Sequence, residues 1–132
     1  MYQTGTMIHS DSKFSFEDLE VWKKAVEYST AVLLLTEKVS TNRKHERLIA
    51  QLEASVVSIA SNIAEGKGRY SKREFIQYLY IARGSLYESV TQLIIFQRCG
   101  ILADEELNQM RSVSTEIAKM LSSLISSIRR ST

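Results

Sequence analysis

The last stretch of the chain repeats core-type residues at alternating steps of three and four. These positions are Leu107, Met110, Ser114, Ile117, Leu121, Leu124 and Ile128. Such steps keep all of them on one stripe of an α-helix, which is the seam pattern of helical bundles. The 132 residues also include no proline, the residue that most strongly breaks helix interiors. The sequence therefore predicts an all-α protein made of long helices.

Capping residues and glycines predict where the helices begin and end. The pattern predicts helices over residues 16–39, 43–65, 72–98 and 104–129. Ser71 and Glu74 have the spacing of a capping box at the start of the third helix. Gly66 is predicted to end the second helix as a left-handed cap, and Gly100 to end the third. Because short connections make neighbouring helices antiparallel, residues 14–132 are predicted to form an antiparallel up-down four-helix bundle after a flexible N-terminal arm, residues 1–13.

Apolar residues at helical spacing also predict a core face on each of the other three helices. In the first helix they are Leu19, Trp22, Val26, Val32 and Leu33. In the second they are Leu48, Leu52, Ser55 or Val56, Ile59 and Ile63. In the third they are Phe75, Leu79, Ala82, Leu86, Val90 and Leu93.

The third helix carries more apolar residues than one core face needs. A second stripe lies about 100° around the helix and consists of Ile76, Tyr80, Tyr87 and Ile94. This stripe fits packing against the first or second helix, and it equally fits an exposed patch that mates with another subunit. Leu34 stands between two other leucines that cannot all face one core. Together, the two surplus patches predict self-association.

No pattern of reactive residues predicts catalysis. A carboxylate-bridged di-iron site in a bundle needs Glu-x-x-His pairs, and the two histidines, His9 and His45, do not form them. Cys99 suits packing as a small apolar side chain. We therefore predict no enzymatic activity and no metal or cofactor site.

Four polar residues stand beside the predicted apolar stripes. They are Asn62, Glu65, Arg83 and Glu88. We interpret them as a structural hydrogen-bonded network that fixes the register of the helices, in preference to a catalytic group.

Positive charge gathers at one end of the predicted bundle. Up-down topology brings the turn after the second helix close to the end of the fourth. The residues concerned are Lys67, Arg69, Lys72, Arg73, Arg129 and Arg130, with Tyr70 among them as a side chain that could stack on a base. The alternative is an ordinary solvated end, partly neutralised by Glu17, Asp18, Glu65 and Glu74.

Composition and charge limit which ligands and which cellular compartment the sequence indicates. A net charge of +2 is too weak to indicate nucleic acid by itself, so only local concentration of charge can do so. The single cysteine fits a reducing compartment. No apolar run is long enough to span a bilayer, and the first residues lack the apolar core of a signal peptide. We expect a cytoplasmic protein without membrane contact.

Three motifs connect this sequence to a known family. They are SIASNIAEG at residues 58–66, LYIARGSL at residues 79–86, and FEDLEVW at residues 16–22. With Gly68-Arg69 and Glu74-Phe75, they make residues 16–129 resemble the four-helix-bundle family named after proteins encoded in intervening sequences of bacterial large-subunit ribosomal RNA genes.

The resemblance implies a bundle that assembles into a homo-oligomeric ring, typically a pentamer. It also implies relatives that serve as accessory proteins of diversity-generating retroelements, where a basic ring associates with a reverse transcriptase and with nucleic acid. Our hypothesis is a non-enzymatic oligomeric adaptor that binds RNA or DNA, or a ribonucleoprotein enzyme such as a reverse transcriptase. The alternative is an oligomeric scaffold that binds protein alone.

Overall fold

Four long helices account for most of the residues that the computed structural model describes, which are 13–39 and 43–131. The helices are α1 (Glu20–Val39), α2 (Glu46–Lys67), α3 (Lys72–Arg98) and α4 (Asp104–Arg130). Short 3₁₀ segments, Ser15–Asp18 and Arg43–His45, precede α1 and α2. These residues form helices and turns without strands, which confirms the all-α class. Residues 1–12 of the predicted arm lie outside the described part of the chain.

The helices form a ring of neighbours in which each packs against two others. Helix α1 packs against α2 and α4, and α3 packs against the same two helices. Lys38 near the end of α1 forms an ion pair of 3.9 Å with Glu106 at the start of α4. Lys72 at the start of α3 donates to the carbonyl of Ser131, just past the end of α4, at 2.6 Å. The arrangement is the predicted antiparallel up-down bundle; assembly of such bundles into a ring stays a prediction.

The seam of α4 faces the core as its spacing predicts. Five of the seven predicted positions are buried, and Met110 and Leu124 are partly buried and packed against the core. In α2, both Ser55 and Val56 are buried, whereas Leu48, which we predicted to be a core residue, is exposed.

The predicted core face of α1 is only partly right: Val32 is buried, and Leu19, Trp22 and Leu33 are partly buried against the core. The buried residues are Val21, Ala25, Tyr28, Ser29, Val32, Leu35 and Thr36. Trp22, Val26 and Leu33 are only half-buried. Trp22 also packs its ring edge-on against Phe16, with 5.3 Å between ring centroids. Leu19, Trp22, Val26 and Leu33 follow helical spacing as the buried residues do, so packing rather than spacing selects between them.

The predicted role of Gly66 is also wrong, because this residue lies inside α2 and is buried. A Cβ at Gly66 would stand 2.7 Å from Cβ of Tyr78 and 3.0 Å from Cδ1 of Phe75. Glycine is therefore needed here for the close approach of α3, and no left-handed cap forms. Gly100 does adopt a left-handed conformation, with φ of 79°, and ends α3 as predicted. Ser71 caps α3 by accepting from the backbone N–H of Glu74 at 3.1 Å.

Candidate nucleic-acid interface

The structure brings the two predicted groups of positive residues to one end of the bundle. The turn between α2 and α3 carries one group, and the last turn of α4 carries the other. Lys72 links them, since its ammonium group donates to the carbonyl of Ser131 at 2.6 Å. We call the surface formed by Lys67, Arg69, Tyr70, Lys72, Arg73, Arg129 and Arg130 the basic end.

Two cations of the basic end are held by neighbouring side chains. The Arg69 guanidinium donates to Glu65 Oε2 at 2.8 Å and to the Tyr78 hydroxyl at 2.6 Å. It also lies over the Tyr78 ring, 4.9 Å from the centroid. The Lys67 ammonium stands 5.9 Å from the centroid of the Phe75 ring. These contacts fix Arg69 against α3, so it is less available to a ligand than its charge suggests.

Other residues of the basic end are open to solvent. Arg73 and Arg130 are exposed, and neither forms an ion pair or hydrogen bond through its side chain within residues 13–39 and 43–131. Tyr70 is fully exposed. These three side chains can therefore contact a ligand without breaking an internal contact.

The acidic residues near this end are mostly engaged elsewhere. Asp18 pairs with Lys13 at 3.4 Å. Glu17 accepts from the backbone N–H of Phe14 at 3.0 Å. Glu74 accepts from the Ser71 hydroxyl at 3.3 Å, whereas Glu65 does pair with a residue of the basic end, Arg69. Glu65 therefore neutralises Arg69 directly, and the charges of Glu17 and Glu74 remain, because their hydrogen-bond donors are neutral.

Arg129 belongs to the basic end but reaches along α3. Its guanidinium donates to the Tyr80 hydroxyl at 2.7 Å and lies 5.5 Å from the centroid of that ring. Arg83 lies over the same ring at 4.8 Å and stands 6.0 Å from the Tyr87 centroid. Both arginines therefore contact Tyr80 where α3 packs against α4.

The predicted interface residues divide into two groups. Ile76, Tyr80 and Ile94 are partly buried against the core of their own chain. Leu34 and Tyr87 are 60% and 54% exposed. Their part in self-association stays a prediction.

Two exposed apolar residues on the outer face of α3 were missed by the sequence reasoning. Ile81 and Ile95 are 51% and 50% exposed. They are fourteen positions apart, which places them on the same helical face. Glu88 lies midway between them and is also exposed. A count of apolar residues on all faces of α3, rather than on two stripes, would have found them.

The four residues predicted to form one polar network are not joined in the structure. Asn62 donates to the carbonyl and hydroxyl of Ser58, at 2.8 and 2.9 Å. Glu65 pairs with Arg69, Arg83 lies over tyrosine rings, and Glu88 is exposed. None of these contacts joins one member of the predicted network to another.

The polar contacts that cross the core instead involve hydroxyl groups. The Ser58 and Ser85 hydroxyls join α2 to α3 at 2.9 Å. The Tyr28 hydroxyl of α1 meets the Ser89 hydroxyl of α3 at 2.8 Å in the buried centre. Burial raises the pKa of Tyr28 to about 12, although the hydrogen bond with Ser89 acts in the opposite direction. Tyr28 is therefore a neutral core residue that ties opposite helices together.

Three other features bear on function: the cysteine, possible metal ligands and possible membrane-spanning helices. Cys99 is exposed rather than packed, contrary to our interpretation. Among the described residues, no group of three or more His, Cys, Asp or Glu side chains could hold a metal ion. No helix in that part of the chain has both the length and the apolar character to cross a membrane.

Fold and surface together define a small antiparallel helical bundle with a basic end. The sequence profile of the 23S rRNA-intervening sequence protein family matches residues 17–123, so the chain belongs to that family. Its fold is similar to that of a protein of unknown function of the S23 ribosomal protein family from Bacteroides thetaiotaomicron. The TM-score is 0.75 and the identity 28%, over 80% of this chain and 97% of the other. No curated protein matches the chain.

Proposed function

We propose that the protein is a non-enzymatic adaptor whose basic end binds the phosphate backbone of RNA. One observation carries the proposal: the turn between α2 and α3 meets the end of α4, where Lys72 contacts the Ser131 carbonyl. This contact merges two groups of cations into one surface, on which Arg73 and Arg130 are exposed. Clustered cations bind phosphates because binding releases condensed counterions.

The positions of the cations on the helices support a role beyond stability. Arg129 and Arg130 lie in the last turn of α4, where positive charge stabilises the helix dipole. Lys72 and Arg73 lie in the first turn of α3, where positive charge opposes that dipole. Helix stability therefore accounts for the first pair and not for the second, whereas a phosphate ligand accounts for both.

The family description favours RNA as the first ligand to test. It names the intervening sequence of 23S rRNA. Nothing at the basic end resembles a helix or sheet that reads base edges, so affinity for the backbone should be largely independent of sequence. A reverse transcriptase, or another enzyme bound to RNA, is the protein partner that the resemblance implies.

Self-association belongs to the same proposal. Leu34 on α1 and Ile81 and Ile95 on α3 leave apolar side chains half or more exposed. A ring of several copies would cover such residues and repeat the basic end, so that several weak sites act on one strand. A protein-only scaffold is the alternative, since the same exposed faces would serve it without RNA.

The test of RNA binding compares two triple variants that remove equal charge. Lys67, Arg73 and Arg130 are changed to Ala in the first; Arg69 and Lys72 stay because their side chains form hydrogen bonds within the chain, whereas Lys67 only approaches a ring. Arg98, Arg111 and Lys119, which are exposed elsewhere, are changed to Ala in the control. Binding of a labelled single-stranded RNA is titrated at two or more salt concentrations.

The first variant should lose affinity and its salt dependence should flatten. Each phosphate contact on a single strand contributes about 0.7 to the slope of log K against log salt, so three lost contacts lower it by about 2. The control should change little. Equal binding by both variants would refute the basic end as the site. Absence of binding by the wild type would favour the protein-only scaffold.

A mass measurement tests self-association. Light scattering at micromolar concentration should give several times the mass of one chain. Ile81→Glu combined with Ile95→Glu should lower that mass, because carboxylates would be buried in the interface. A monomer mass for the wild type at every concentration would overturn the oligomer.

A further inference from the structure

Cations and aromatic rings alternate on the flank of α3 that faces α4. The order is Arg129, Tyr80, Arg83 and Tyr87. Arg129 and Arg83 lie 5.5 and 4.8 Å from the centroid of the Tyr80 ring. Arg83 also stands 6.0 Å from the centroid of Tyr87. This series, which we call the Arg–Tyr ladder, begins at the basic end and runs up the helix.

Helical spacing places three residues of this flank in one line. Arg73, Tyr80 and Tyr87 follow each other at intervals of seven positions. Seven positions are two turns, a rise of about 10 Å. The line therefore continues the basic end by roughly 20 Å along the bundle, with a positive charge at its start and another, Arg83, between the tyrosines.

A groove lies at the upper end of the ladder, between α3 and α4. It has a volume of about 350 Å³ and is lined by Leu86, Tyr87, Val90, Thr91, Ser114 and Ala118, among others. Apolar side chains make up much of the lining, and Tyr87 forms its edge with 54% of its surface exposed. A flat apolar group could lie against Tyr87 and enter this groove.

Contacts within the chain explain the position of Tyr80 but leave the ring of Tyr87 largely unused. Tyr80 is partly buried, and its hydroxyl accepts from Arg129 at 2.7 Å, so it locks α4 onto α3. Tyr87 is half-exposed, and its hydroxyl has no hydrogen bond within residues 13–39 and 43–131. Packing within the chain therefore accounts for Arg129 and Tyr80 and leaves the ring of Tyr87 open to a ligand.

We propose that the Arg–Tyr ladder is a track for single-stranded RNA, on which phosphates contact Arg73 and Arg83 and a base stacks on Tyr87 beside the groove. The proposal rests on RNA binding by the basic end and specifies the class of RNA. Grooves that bind single strands combine cations for the backbone with aromatic rings for the bases. A duplex keeps its bases stacked inside, so it can use the basic end but not Tyr87.

The experiment uses the full chain and three labelled probes of equal length. They are a single-stranded RNA of mixed sequence, the same RNA in a blunt duplex, and an abasic strand that keeps the phosphates. Each is titrated against the wild type, Tyr87→Ala, Tyr87→Phe and the Lys67, Arg73 and Arg130 triple variant. Light scattering gives the mass of each variant.

Tyr87→Ala should weaken binding of the single-stranded RNA by roughly 5- to 100-fold, the effect of losing one base stack. The duplex and the abasic strand should bind this variant as they bind the wild type. Tyr87→Phe keeps the ring and should bind all probes normally. The triple variant should bind all three probes more weakly.

The two proposals, RNA binding by the basic end and the Arg–Tyr ladder as a track, are overturned by different results. If Tyr87→Ala binds the single strand normally while the triple variant binds weakly, the ladder is not a track, and RNA binding by the basic end stands. If the wild type binds none of the probes, both proposals fail. If Tyr87→Ala lowers the mass of the assembly, a second copy covers Tyr87 and the track is refuted.

Discussion

Alanine at Gly66 and alanine at Gly84 should change the stability of the protein in opposite directions. Both residues lie inside helices, Gly66 in α2 and Gly84 in α3, and neither has a positive φ. In an open helical position, alanine is more stable than glycine by about 0.5–1 kcal/mol, because glycine loses more backbone freedom on folding. The two sites therefore share one favourable contribution and differ only in their surroundings.

The surroundings decide the sign of each change. A Cβ at Gly84 would have no heavy atom within 4 Å, so Gly84→Ala should stabilise by about 0.5–1 kcal/mol. A Cβ at Gly66 would stand 2.7 Å from Cβ of Tyr78. That atom is bonded to the backbone, so α3 itself has to move. Overpacking costs about 1–3 kcal/mol, and a backbone that has to move places this site in the upper part of that range. Subtracting the favourable contribution of alanine leaves a net loss of roughly 1–2 kcal/mol.

Thermal and urea unfolding of the two variants measure this difference. For a chain of this size, 1 kcal/mol corresponds to a shift in Tm of roughly 3–5 °C. All samples are compared at one protein concentration, since any self-association would make Tm depend on concentration. If Gly66→Ala stabilised the protein as much as Gly84→Ala, the close contact between α2 and α3 would be wrong.

Three further predictions concern a core hydrogen bond and two helix ends. Tyr28→Phe should destabilise by about 1 kcal/mol, the net value of one hydrogen bond, as measured by urea unfolding. Because folding raises the pKa of Tyr28 from 10.0 to about 12, its contribution is complete below pH 10 and is lost as pH rises to 12. The wild type should lose about 2–3 kcal/mol more than Tyr28→Phe over that range, and parallel pH profiles would contradict this assignment. Ser71→Ala should cost about 1 kcal/mol through loss of the cap of α3, whereas Ser71→Asp should keep most of the stability. Gly100→Ala should cost about 1 kcal/mol in the same assay, since its φ of 79° disfavours a side chain.

The sequence was sufficient for the number, order and approximate limits of the helices. Helix α4 shows why: its predicted core positions occupy one stripe, and all seven are buried or partly buried against the core. The meeting of two basic segments at one end also followed from the sequence, because short turns leave only the antiparallel arrangement. Capping by Ser71 and the left-handed Gly100 were predictable because they depend on neighbouring residues alone.

Only the tertiary structure decided which of two equivalent stripes faces the core and which cations remain open. In α1, the set containing Trp22 and the set containing Tyr28 have the same period, and packing against α2 and α4 selects the second. Gly66 is glycine because of Tyr78, which lies on another helix. Arg69 is engaged and Arg73 is exposed, although both are arginines beside one turn. Periodicity and charge are properties of one segment, whereas these outcomes depend on distances between atoms of different helices.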